Sequence, residues 1–151
     1  MKKIKLYLAA VLIAGLSFTS CSDDDNNGPS TGGEIMAKWS PIKTVTKLGS
    51  IEGEIEYINS EPTCGDDYIE FATGGVFNRG VWDKNTDTLA CEIDMATATT
   101  YTKSNNDLTI GAGLYQGTYK ITLLTGSELR FESSANSPAG TTITTFYFEK
   151  Q

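Results

Sequence analysis

The chain has 151 residues, with 12 Lys and Arg against 19 Asp and Glu, no histidine, and a net charge of −7 at neutral pH. That balance argues against nucleic acid or an anionic membrane surface as a partner, because both need clustered Lys and Arg. The missing histidine removes Ser-His-Asp and Cys-His hydrolases, histidine general bases and histidine-ligated metals together. Carboxylate-only chemistry survives, since Asp66, Asp67, Glu70, Asp83, Asp87, Glu92 and Asp94 crowd the middle of the chain. Glycoside hydrolysis needs two carboxylates at a defined separation across a cleft, which spacing along a chain does not show. Most acids in a small β domain solvate its rim, and the reading is a protein that is not an enzyme and needs no cofactor.

In chain order, Lys2, Lys3 and Lys5 form a basic start, and Leu6 to Phe18 an apolar run too short to span a bilayer as a stable helix. This is the layout of a secretory signal over residues 1–20. The run Leu16-Ser17-Phe18-Thr19-Ser20-Cys21 resembles the lipobox of bacterial lipoproteins, with Phe18 in place of the usual Leu or Val. That resemblance implies a lipid on Cys21; a plain signal peptide with an unrelated cysteine is the alternative. Residues 21–34 then read as a lipidated cysteine and acidic tether. Ser22 to Gly33 has no apolar residue to offset its ordering entropy, and its reach is about 20 Å. Ser22-Asp23-Asp24-Asp25 resembles the export signal that sends Bacteroidota lipoproteins to the outer face of the outer membrane, unless the aspartates only keep the tether solvated. The expected location is the outer membrane, lipid-anchored and facing the cell surface, with the periplasmic face as the other possibility. Without the three signal lysines, nine basic residues face nineteen acidic ones, a net of about −10.

Residues 35–151 read as one all-β domain. Short runs rich in Val, Ile, Thr, Tyr and Phe alternate with Gly, Asn, Asp and Ser turns, and no window holds a helical period. A first strand is expected around Ile35 to Trp39, and no element is assigned between residues 40 and 67. Tyr68 to Ala72 and Val76 to Trp82 form a hairpin through Thr73-Gly74-Gly75. Asp83 to Leu89 is a loop, and Cys91 to Lys103 an interrupted extended segment. Asp107 to Gly111 follows the Ser104-Asn105-Asn106 turn. Thr118 to Leu124 returns through Thr125-Gly126-Ser127 along Glu128 to Ser133. Ala135 to Gly140 is the last turn and Thr141 to Glu149 the last strand. Alternation places Tyr119, Ile121 and Leu123 on one face, and Leu129 and Phe131 opposite Glu128, Arg130 and Glu132. One dry and one wet face suits an antiparallel meander, and closure into a barrel of about eight strands removes its open edges.

Cys64 and Cys91 remain as an even pair in an exported chain and are expected to form a disulfide. Free thiols or a two-cysteine metal site are the alternatives, the latter without a third cysteine or a histidine to complete a zinc shell. Asp83-Lys84-Asn85-Thr86-Asp87 has the D-x-N-x-D start of a calcium loop. Thr88 stands where the sharp-turn glycine belongs, so a solvated loop is the favoured reading and no metal ligand is assigned.

The domain resembles the lipocalin-like lipoprotein domains of Bacteroidota. The resemblance is carried by Ala37-Lys38-Trp39, Cys64-Gly65-Asp66-Asp67-Tyr68-Ile69-Glu70-Phe71, Gly74-Gly75-Val76-Phe77 and Cys91. It continues through Asn106-Asp107-Leu108-Thr109-Ile110, Tyr119-Lys120-Ile121, Leu123 to Leu129 and Phe146-Tyr147-Phe148-Glu149-Lys150. It implies a small barrel with Trp39 closing its floor, stacked on Arg130; alternatively Trp39 is simply a large core residue. Phe71, Phe77, Tyr101, Tyr119, Phe131 and Tyr147 are the candidates to line a cavity for a small hydrophobic ligand. The competing expectation is a barrel that fills itself with these side chains and serves as a structural, protein-interaction or carbohydrate-interaction module.

Overall fold

The computed structural model describes residues 32–151. The signal segment, the lipidation site Cys21 and the tether through residue 31 lie outside the described residues. Ten strands follow: β1 (Lys38–Leu48), β2 (Ile51–Glu56), β3 (Tyr68–Ala72), β4 (Val76–Lys84), β5 (Cys91–Met95), β6 (Thr99–Ser104), β7 (Asp107–Ile110), β8 (Gly117–Leu124), β9 (Glu128–Ser137) and β10 (Gly140–Lys150). The only helical turn among the described residues is the 3-10 turn Thr73–Gly75. Every pairing is antiparallel, and β10 returns to β1 over Trp39 to Leu48, closing a barrel of eight strands with β2 and β5 outside it.

Alternation explains the barrel wall. Phe71 and Phe77 face each other across β3 and β4, Ile121 and Phe131 across β8 and β9, and Phe131 and Phe146 across β9 and β10. These side chains point inward, and burying each contributes roughly 1.5–3 kcal/mol. Lys120, Arg130 and Glu132 point outward, the reverse of a membrane barrel, whose apolar band faces out. No helix among the described residues is long and apolar enough to cross a membrane.

One end of the barrel is closed. Trp39 is fully buried there and donates its indole N–H to the Ile35 carbonyl at 2.8 Å, while the Gly33 N–H reaches the Leu124 carbonyl at 3.0 Å. Gly33, within the segment read as tether, is therefore docked on the barrel. Trp39 does not stack on Arg130. That guanidinium stands 5.0 Å from the Tyr147 ring centroid on the outer face and bonds Glu128 at 3.0 Å.

Other expectations need correction. The first strand starts at Lys38 and runs to Leu48, and the β1–β2 hairpin occupies part of the unassigned stretch through the two-residue turn Gly49-Ser50. Pro41 is tolerated inside β1 because the register with β10 shifts between Pro41 and Lys43, where no ladder N–H is required. A second shift, between Ile121 and Leu123, turns Leu123 outward opposite Arg130 and seats Leu124 inside opposite Leu129. β9 continues through Ala135 to Ser137, because β10 supplies it with a partner strand, and the last turn is only Pro138-Ala139.

Candidate functional site

The expected ligand site is the barrel interior. Phe71, Phe77, Tyr119 and Phe131 are buried inside it, and Tyr101 is half-buried with its ring centroid 4.9 Å from that of Phe71. Tyr147 is not among them. It pairs with Arg130 on the outer face and meets Lys43 at 5.3 Å, while its neighbours Phe146 and Phe148 turn inward. The phase of a strand assigns alternate residues to opposite faces, and in Phe146-Tyr147-Phe148 the two phenylalanines take the dry one.

The residue missing from the sequence reading is Tyr115. It lies in the β7–β8 loop at the open end, a Gly-rich segment that gives no alternation to read. The loop folds back and lowers Tyr115 into the mouth, its ring centroid 5.6 to 6.3 Å from those of Phe77, Phe131, Phe146 and Phe148. Tyr119 Oη donates to the Tyr115 carbonyl at 2.9 Å and holds the loop down. Burial pushes the Tyr115 hydroxyl up to about 12, against the opposing pull of the Arg79 guanidinium. Two small cavities flank the ring, about 50 Å3 beside Phe77 and Arg79 and about 90 Å3 beside Ile55 and Phe146. Small-molecule sites run from roughly 300 to 1,000 Å3. The two cavities beside Tyr115 are well below that range.

A larger space lies on the barrel flank. After Trp39, β1 parts from β3, and from Lys43 its free side is taken by β2. Between these pairings opens a cleft of about 720 Å3, walled by Ser40, Pro41 and Ile42, by Glu56 and Tyr57, by Asp66 and Trp82, and by Glu149, Lys150 and Gln151. Its aromatic walls are held from below by Asp67, only 4% exposed, which accepts the Tyr57 hydroxyl at 2.5 Å and the Trp82 backbone N–H at 2.7 Å. Burial and the Asp67 carboxylate together push the Tyr57 hydroxyl up to about 12. Gly65 lies against the Trp82 indole, at φ +150, where a Cβ would come within 2.6 Å of Nε1; only glycine allows that approach. Asn59 Nδ2 donates to the Gly65 carbonyl at 2.7 Å, and the Cys64–Cys91 disulfide ties the same loop to β5. On the far wall Gln151 Nε2 donates to Ser40 Oγ at 2.9 Å and to the Asp66 carbonyl at 3.1 Å.

The cleft thus combines two positioned aromatic rings with a hydroxyl, an amide, three carboxylates and one ammonium. The carboxylates Glu56, Asp66 and Glu149 outnumber Lys150 and disfavour an anion. Elsewhere, the expected loop from Asp83 is shorter: Asp83 and Lys84 end β4, paired with Glu92 and Cys91. In the hairpin connection that follows, the Asn85 side chain caps the backbone N–H groups of Asp87 and Thr88, both at 3.0 Å. No family model matches the chain, and no curated protein matches it.

Proposed function

We propose that this protein is a lipid-anchored lipoprotein of the bacterial outer membrane, with a lipocalin-like domain, that acts by binding and not by catalysis. Its barrel is a filled scaffold, and the flank cleft recognises an uncharged polar ligand of carbohydrate type. One observation carries this reading: the interior leaves about 50 and 90 Å3 around Tyr115, whereas the flank offers about 720 Å3 between Tyr57 and Trp82. An aromatic ring presents an apolar face to the C–H side of a sugar, while Ser40, Asp66 and Gln151 suit its hydroxyls. The lipid on Cys21 supplies the membrane contact that an acidic domain lacks, and several acyl chains make such an anchor effectively permanent.

Titration calorimetry with a panel of neutral oligosaccharides tests the cleft. At least one should bind, and Trp82→Ala and the milder Trp82→Phe should weaken it in graded steps while the circular dichroism spectrum is kept. No binding across the panel, or binding indifferent to Trp82, sinks the reading. Cys21→Ala should release the folded domain from membranes or stall its processing; unchanged membrane association would remove the anchor. A second reading rests on Tyr115 as the one ring between the two interior cavities. A small apolar ligand would enter the barrel if Tyr115 withdrew, and Tyr115→Ala should then bind a fluorescent apolar probe that the parent protein refuses.

A further inference from the structure

Two strands lie outside the barrel, β2 and β5, each paired on one side only. β5 has one of its apolar residues covered, since Ile93 packs over Gly80. The other, Met95, is 45% exposed but holds the Tyr68 hydroxyl on its sulfur. β2 has no such cover. Its sequence, Ile-Glu-Gly-Glu-Ile-Glu, alternates perfectly, and all six residues are exposed. Ile51 and Ile55 stand 72% and 74% exposed on one face, and Ile58 just beyond is 84% exposed. Glu52, Glu54 and Glu56 occupy the other face, where only Glu54 forms an ion pair among the described residues, with Lys43 at 2.8 Å.

The backbone has the same asymmetry. The Tyr57 N–H donates to the Ile42 carbonyl of β1 at 2.7 Å. Alternate residues of a strand aim their N–H and C=O groups to the same side. Residues 51, 53 and 55 therefore bond β1, and Glu52, Glu54 and Glu56 aim theirs outward at the free edge. A row of unpaired donors and acceptors beside uncovered isoleucines is a template for another strand. A second copy does not fit, because β2 against β2 would set glutamates beside glutamates. The tether does not fit either, being acidic and without apolar residues.

We propose that β2 is a docking edge for an extended segment of a partner protein that carries Lys or Arg on one face and apolar residues on the other. The segment adds as a further strand: its main chain bonds Glu52, Glu54 and Glu56, its cations meet their carboxylates, and its apolar side chains cover Ile51 and Ile55. The mature protein, in detergent, would be titrated with a capped octapeptide of alternating valine and lysine while backbone amide exchange is followed. Exchange at Glu52, Glu54 and Glu56 should slow at least tenfold, with the amides of β5 unchanged. Glu52→Lys, which lies away from the flank cleft, should weaken the valine–lysine peptide at least tenfold and favour a valine–glutamate peptide. Ile51→Thr should weaken both peptides. An octapeptide N-methylated at every second residue on its pairing edge should not bind. The proposal is overturned if the three amides gain no protection, if the N-methylated peptide binds equally well, or if the protein alone associates through β2.

Discussion

β2 and β5 are of similar length, both lie outside the barrel with one paired edge each, and neither has a core of its own. They are held in different ways. β5 is tied covalently through Cys91 to Cys64, its residue Glu92 accepts Asn85 Nδ2 at 3.0 Å, and Tyr68 Oη donates to Met95 Sδ at 3.4 Å. β2 has its ladder to β1, one exposed ion pair, and the anchorage of the following Tyr57 on buried Asp67. A strand outside a barrel must be stapled, covered or left available. The staple went to β5, and β2 keeps uncovered isoleucines beside its free edge.

The largest test of that contrast is the staple. Replacing Cys64 and Cys91 together by alanine should lower stability by about 3–4 kcal/mol, the entropy of a loop of this span. Amide exchange should quicken in β5 and at Gly65 while β2 is unchanged; equal loosening of both strands would show that the disulfide serves the whole domain. Next comes the anchor of β2. Asp67→Ala strands the Tyr57 hydroxyl and the Trp82 N–H, at about 2–3 kcal/mol for bonds to a buried charge. Chemical denaturation should register it, with exchange quickening at the β2 end of the hairpin.

Alkaline titration separates barrel from rim. Tyr115 and Tyr57 both hold their protons to about pH 12 in the fold, against about 10 unfolded. Both groups are neutral when protonated, so the folded state binds more protons between those values. The stability they contribute is complete below pH 10 and is lost as pH rises toward 12, by roughly 2 kcal/mol for Tyr115. Tyr115→Phe should flatten this limb more than Tyr57→Phe, because Tyr57 is the more exposed; the reverse order would place Tyr57 deeper than the structure does. The smallest effect belongs to β2 itself. Ile51→Thr should change stability by less than about 0.5 kcal/mol, since its side chain touches little. A larger loss would mean that something covers Ile51.

Much of this was legible in the residues. Alternation in Ile69-Glu70-Phe71 and Leu129-Arg130-Phe131 showed which side chains enter the barrel, and the even cysteine pair foretold its bridge. It misled where its phase slipped: the bulge near Thr122 exchanged Leu123 for Leu124, and Tyr147 went outward between two phenylalanines. The same period stands at Ile51-Glu52-Gly53-Glu54-Ile55-Glu56, but a strand without a dry face gives no burial signal to assign it by.

The sequence by itself determined an all-β chain and most of its inward and outward positions, because a period of two is a local property. It also pointed to Cys64 and Cys91 as partners once Cys21 is set aside for a lipid. Only the tertiary structure decided that Tyr115 fills the mouth and that a cleft opens on the flank. The first depends on how a Gly-rich loop settles once the barrel has closed beneath it. The second joins Ser40, Tyr57, Trp82 and Gln151 where β1 changes partners from β3 to β2, and no short-range pattern along the chain records that exchange.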